Sequence, residues 1–397
     1  MTAAPKQGAT NAPPARPYPF PVGVYESLTQ DYDNSFALGT TIAAWTAPIQ
    51  APLWNISPTG WVRGLWLDFT VTIAGNAATP AYAADGPWSG VQKITIYDLG
   101  GEVVLQLLGY EWMIMNKFGG YFELGDPRAD LQYSVTTGSG ASAGSVHYCL
   151  YLPFEAVARD SLGVVQNESK PGWKIELWMD SAANAFGTGG TQPTGTGTAS
   201  VRVRGYIESY TEPAAAAPNG RPFAQTPPLP GTLQYWKSEN NGLPSGQAKY
   251  DLSNGIGFPI RNILYYMKDA GTGTRATGDT DWWDPCTLLI GNVNFFTRSK
   301  SLWITKMSKA YGFAQVGATS PAADTAQGRE NGVFPVWFTQ DMTGSPGNEL
   351  RFKYLDTQVN TLVRITGSTN GTNTLFAVTN WLATPSQNRY ALIAGGS

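Results

Sequence analysis

The chain has little charge. Asp, Glu, Lys and Arg make up 14% of its 397 residues, against about 25% in an average soluble domain, and the net charge of -3 comes with no basic run. A nucleic-acid groove needs clustered Lys and Arg to neutralise phosphates, so no direct sequence-specific contact with DNA or RNA is expected. Histidine is nearly absent, with His147 alone, and the two cysteines, Cys149 and Cys286, lie far apart. Metal ligands at useful spacing are therefore missing from the sequence, and the cysteines are expected to be buried free thiols. No apolar run approaches the roughly 18 residues of a membrane span, and the opening MTAAPK starts no signal-peptide core. Synthesis and folding in a cytosol are expected.

Motifs of catalysis are equally scarce. Gly140 to Gly144 (GASAG) matches the GxSxG of esterases, but it lies in a Gly-rich loop that leads into a strand, and His147 is too near to serve as a triad base. His147 alternates with Val146 and Tyr148, as a structural or surface histidine would. No GxxxxGK[ST] phosphate loop occurs. Asp279, Asp281 and Asp284 surround Trp282 and Trp283, where carboxylates could hold calcium or indoles could stack on a sugar. A solvated loop with two packing tryptophans is the simpler reading. No catalytic residue, cofactor or metal site is assigned.

What the chain does have is 45 Gly, 28 Pro, 14 Trp, 19 Tyr and 16 Phe, a composition of strands and turns. Its length allows two cores. Leu65, Leu67, Phe69, Val71 and Ile73 alternate with Trp66, Asp68, Thr70 and Thr72, the period of a half-buried strand. Val91 to Tyr97 and Glu102 to Leu107 flank Asp98-Leu99-Gly100-Gly101, a hairpin turn. Leu108, Trp112 and Met115 then follow at the spacing of a short amphipathic helix. A shift of 191 residues carries Ile73 onto Leu264, Gly100 onto Gly291 and Trp112 onto Trp303, which opens a second helical stripe of Met307, Ala310, Tyr311 and Ala314. Such an echo points to an internal duplication.

Around these blocks the sequence divides into an extended, Pro-rich arm over residues 1–31, a first β unit over 32–212, a linker over 213–231 and a second β unit over 232–397. Met1 to Pro21 holds six prolines and no acid, and Thr211 to Gly231 holds six more beside an alanine run. About eight short strands per half, with Gly and Pro turns, is the profile of a sandwich or jelly roll. Ala156 to Val165 is expected to add a turn or two of helix.

Three stretches carry a family resemblance. Pro52 to Gly75 (PLWNISPTGWVRGLWLDFTVTIAG) with Gly86 to Lys117, Ser145 to Asp180, and Ser301 to Ala314 (SLWITKMSKAYGFA) resemble, in pattern over most of residues 30–340, the major capsid proteins of the tectivirus type. The Pro-rich arm departs from the Gln-rich, helix-prone arm of that family. The resemblance implies an all-β double jelly roll, two tandem eight-stranded jelly rolls with short helices in inter-strand loops, and no enzymatic activity. It further implies a homotrimer forming a pseudo-hexagonal capsomer, which meets neighbouring trimers, penton and minor capsid proteins in an icosahedral virion around an internal membrane, assembled in a bacterial host cytoplasm. Lys6, Arg16, Tyr18 and Phe20 are then candidates for a membrane-proximal arm, and Trp112 and Trp303 for equivalent helix anchors. Two rival readings are a secreted or surface carbohydrate-binding β-sandwich, for which the aromatic content speaks, and a phage receptor-binding spike.

Overall fold

The structure is a computed structural model that describes residues 16–20, 26–75, 80–119, 121, 132–133, 144–156, 162–167, 172–227, 232–273, 275, 282–311, 330, 332–339 and 354–383. In the first half, chain order gives β1 (Glu26–Ala37), β2 (Ile49–Gln50), β3 (Trp54–Asn55), β4 (Gly60–Ala74), β5 (Val91–Tyr97), β6 (Val103–Leu107) and helix α1 (Gly109–Phe118). There follow β7 (Gln132–Tyr133), β8 (Gly144–Pro153), β9 (Val165–Asn167), β10 (Lys174–Met179), helix α2 (Ala182–Phe186) and β11 (Thr198–Tyr210). The second half has β12 (Leu233–Leu243), β13 (Gly246–Asp251), β14 (Pro259–Asp269), β15 (Cys286–Ile290), β16 (Val293–Arg298) and helix α3 (Lys300–Tyr311). It ends with β17 (Val333–Trp337), β18 (Leu355–Asp356), β19 (Val363–Thr369) and β20 (Asn373–Ala383).

These strands form two jelly rolls. In the first, β1-β11-β4-β8 make one sheet, and β2 and β3 share a place beside β10-β5-β6 in the other. In the second, the sheets run β12-β20-β14-β17 and β13-β19-β15-β16. Numbered by their eight principal strands, both rolls read first, eighth, third, sixth in one sheet and second, seventh, fourth, fifth in the other. The same helix position, between the fifth and sixth strands, holds α1 in one roll and α3 in the other.

Local chemistry sets these elements. In β4, Leu65, Leu67, Phe69, Val71 and Ile73 are buried while Trp66, Thr70 and Thr72 are partly open, so one face builds the core. The β5–β6 turn is tied by Asp98, whose Oδ1 accepts from the N–H groups of Gly100 at 2.8 Å and Glu102 at 2.7 Å, an Asx turn. The residue that takes positive φ is Gly101, at 79°, and Gly291 at 59° fills the matching turn between β15 and β16. Ser181 caps α2 by accepting from the Asn184 N–H.

The structure corrects several expectations. The first strand begins at Glu26, inside the span assigned to the arm, and pairs along β11 from Glu26 opposite Tyr210. The 213–231 segment is not simply extended: Ala217 and Arg221 close a tight turn at 2.9 Å, and Ala216 bridges Pro222. Cys149 is exposed, whereas Cys286 is buried and burial pushes its thiol pKa up. Most of the stretch expected to be helical after Ala156, the serine of GASAG, Lys6, Asp279, Asp281 and Ala314 lie outside the described residues.

Candidate assembly surfaces

The amphipathic helix expected at Leu108 is buried on every side, because α1 sits between the two rolls rather than on a surface; all its residues from Gly109 to Phe118 are buried. Trp112 packs edge-on to Phe69 at 5.9 Å, and its indole N–H donates to the Tyr151 carbonyl of β8 at 2.7 Å. Trp303 on α3, fully buried, packs edge-on to Phe334 at 5.4 Å and donates to the Pro335 carbonyl of β17 at 3.2 Å. Each helix is thus pinned by an indole to the sixth principal strand of its roll.

From α1 a polar seam runs into the second roll. Glu111 accepts from the Leu108 N–H at 2.8 Å and from the Tyr266 hydroxyl at 3.0 Å, with the Ser238 hydroxyl as a further donor. Burial pushes its carboxyl above the usual range. Lys117 pairs with Glu330 at 3.1 Å, both essentially without solvent, and the Tyr110 hydroxyl reaches the same carboxylate at 3.2 Å. Arg275 pairs with Asp85 at 2.6 Å and lies 3.6 Å from Glu330, while Lys268 is 3.5 Å from Asp85. A buried pair is strongly destabilising when one partner is lost, about 3–5 kcal/mol, so this network fixes how the rolls meet. Sequence reasoning missed it. The available signal was a charge inside an apolar run, as at Glu111 and Lys117.

The two rolls also share a sheet. β6 and β12 pair in parallel, Leu105 with Trp236 and Lys237 with Gln106, which joins five strands of each roll, the short β3 and β18 included, into one ten-stranded sheet. The fifth strand of the first roll therefore lies along the first strand of the second. At the other ends the same two strand positions stand at edges: β16, the fifth strand of the second roll, and β1, the first strand of the first, each end their sheet among the described residues. Both edges expose apolar side chains. Val293 and Phe295 of β16 are 69% and 50% exposed, Leu302 of α3 is exposed beside them in sequence, and Leu28 of β1 is 62% exposed.

Of the residues assigned to the arm, Arg16 to Phe20 are described and lie against the body of the chain. Tyr18 pairs by its backbone with the 213–231 segment, donating to the Pro222 carbonyl and accepting from the Ala224 N–H at 2.8 and 2.9 Å. Its ring meets Phe223 at 5.5 Å and carries the Arg221 guanidinium 4.1 Å above its centroid. The Arg221 Nε donates to the Arg16 carbonyl at 2.5 Å. Phe20 is buried with Trp61, Val164 and Tyr210. It is a core residue and cannot face a membrane; Tyr18 is half-buried on the chain itself, and Arg16 is exposed.

Among the described residues no exposed tryptophan offers the platform of a sugar-binding surface. Trp282 and Trp283 are buried, Trp282 stacking on Phe334 at 4.0 Å, and of the 14 tryptophans all but Trp66 and Trp178, which are partly buried, are buried. Asp284 accepts from the Lys300 N–H at the start of α3, at 3.2 Å. Among the described residues no helix is long and apolar enough to cross a membrane.

No family model and no curated protein matches the sequence. Solved structures do match the fold. The structure titled for the STIV MCP aligns with a TM-score of 0.56 at 13% identity, covering 92% of this chain and 99% of that one. The atomic structure of Sulfolobus Turreted Icosahedral Virus gives 0.57 at 12% identity, over 92% and 93%, and the Faustovirus major capsid protein 0.50 at 8% identity, over 90% and 89%. The likeness runs over nearly the whole length of each pair, and what it shows is the fold: this chain is built as two jelly rolls in tandem, as those viral capsid proteins are.

Proposed function

We propose that the chain is the major subunit of an icosahedral viral shell and that three copies close into a pseudo-hexagonal capsomer. The observation that carries this reading is the β6–β12 seam. Inside one chain, the fifth strand of one roll pairs with the first strand of the next; between chains, the β16 and β1 edges, which end their sheets among the described residues, can repeat that contact. Three chains bring six rolls, so three internal seams alternate with three intermolecular ones, and a heterologous contact that closes on itself yields a ring rather than a fibre. A ring with six nearly equivalent sides tiles a facet, and this sets the partners: other copies of the chain first, then neighbouring capsomers and the vertex and minor proteins of the shell. The low charge of the chain fits a subunit that hides large surfaces, since obligate interfaces of roughly 2,000–5,000 Å² carry few charges at their centres.

Residues ahead of Arg16, Lys6 among them, are left as the arm that reaches neighbouring subunits or the lipid of an internal membrane. Assembly in a bacterial cytoplasm belongs to the same reading. Native mass spectrometry of the purified chain at micromolar concentration should return the mass of three copies. A monomer alone under those conditions would overturn the proposal.

A further inference from the structure

The outward face of the β1-β11-β4-β8 sheet gathers three side chains of complementary chemistry. β4 and β8 run antiparallel with Asp68 opposite Cys149 and Thr70 opposite His147. Because side chains alternate across a strand, Leu67 and Phe69 of β4 and Tyr148 and Leu150 of β8 enter the core. Asp68, His147 and Cys149 are left together on the other face. One donor atom from each lies within 4.8 Å of the other two, and His147 Nε2 is 2.6 Å from Asp68 Oδ1. The chain's only histidine and its only exposed cysteine thus share one carboxylate.

Two details go beyond proximity. Arg204, on β11 at the other side of β4, pairs with Asp68 Oδ2, which holds the carboxylate in place and turns Oδ1 toward the other two groups. The Nδ1 of His147 is out of solvent with no hydrogen-bond partner, a cost of about 1–3 kcal/mol for a polar atom that nothing satisfies. An ion pair with Arg204 alone would need neither His147 nor Cys149 beside it.

We propose that Asp68, His147 and Cys149 bind one divalent transition-metal ion, with zinc as the ion their donor set favours. Thiolate and imidazole together select the softer first-row ions over magnesium or calcium. Zinc bonds of about 2.0–2.3 Å in a tetrahedron place ligand atoms roughly 3.3–3.8 Å apart. His147 and Asp68 must part by about 1 Å and Cys149 close by a similar amount, movements that side-chain rotation supplies. On binding, the thiol of Cys149 gives its proton to solvent and the metal takes the lone pair of one His147 ring nitrogen, so uptake is favoured by rising pH. Three protein donors leave a fourth position to water. The ion clips β4 to β8 on the face away from the core, independently of any role in a shell.

The test is titration of the reduced, full-length chain with cobalt, whose tetrahedral thiolate complexes absorb in the near ultraviolet and visible. One cobalt per chain is expected, with a thiolate-to-metal charge-transfer band that zinc abolishes. Cys149→Ser should remove the band, and His147→Gln should weaken binding by more than roughly 100-fold, beyond what loss of a supporting contact costs. As a readout that needs no variant, zinc should slow alkylation of Cys149, Cys286 being buried. Failure of the unmodified chain to take up cobalt, a charge-transfer band that survives Cys149→Ser, or alkylation unchanged by zinc would each overturn the proposal.

Discussion

Replacing Trp112 by alanine removes a fully buried indole and its bond to the Tyr151 carbonyl, a loss of about 3–5 kcal/mol. Asn116 also donates to that carbonyl, at 2.8 Å, so Trp112→Phe keeps the acceptor satisfied and should cost only about 1 kcal/mol. Denaturant unfolding of both variants checks the ordering; equal losses would mean that the indole bond, not its bulk, holds α1. Glu111 allows a prediction of opposite sign to the usual carboxylate. Its folded pKa lies above the unfolded value because burial disfavours the charge, so the folded state binds the proton more tightly than the unfolded chain does. Stability from this group is full at acid pH and is lost as pH rises from the unfolded value through the folded one. Glu111→Gln cannot ionise. The melting temperature of the variant relative to the natural chain should therefore be higher at pH 7.5 than at pH 4, whatever constant loss the amide brings at the Leu108 N–H. A relative melting temperature that falls over that range would show Glu111 to be held ionised.

At the scale of elements, the β16 edge is where the capsomer reading is most open to attack. Phe295→Lys places a charge on an apolar edge, the device by which proteins prevent strands from pairing across molecules, at a side chain that is half exposed and meets Phe338 in its own roll at 5.7 Å. The variant should lower the stability of the isolated subunit by no more than about 1 kcal/mol and run as a monomer on size exclusion; a trimer of undiminished stability would remove β16 from the interface. The elements that were legible in the sequence are those with two different faces. β4 announced itself because its core side alternates with an open side, and the β5–β6 hairpin because Asp98 and Gly101 are the residues such a turn requires. β14 gave a blurred pattern, since Ile260 to Met267 are buried on both faces, and a strand wrapped on both sides loses its period. α1 was legible as a helix but not as a buried one, because the roll that covers it lies more than a hundred residues further on. The same limit hid the polar seam and the Asp68, His147 and Cys149 cluster: each depends on strand register, which sequence spacing does not carry.

The whole molecule poses the question of what its first residues do once Tyr18 and Phe20 are known to be docked. The contacts of Tyr18 and Phe20 separate two truncations that a uniform arm would not distinguish. Removing residues 2–15 leaves the Tyr18 bridge to the 213–231 segment and the Phe20 cluster in place, so the subunit and its trimer should be as stable as before. What is lost is the Pro-rich sequence proposed to meet neighbouring capsomers or lipid, with Lys6, whose attraction to anionic headgroups is worth about 1 kcal/mol. Particle assembly, or retention of lipid in the particle, should fall. Removing residues 2–21 also strips Phe20 from Trp61, Val164 and Tyr210, and opening that cluster should cost about 3 kcal/mol by the measure of a buried Phe cut to Ala. The longer truncation should therefore lower the unfolding midpoint of the subunit, and the shorter should not. Thermal unfolding, native mass spectrometry and electron microscopy of particles from the two truncations separate the roles. If the shorter one assembles lipid-filled particles at the normal yield, the residues before Arg16 have no part in the shell. Should both destabilise the subunit alike, the arm is a structural extension of β1 along its whole length.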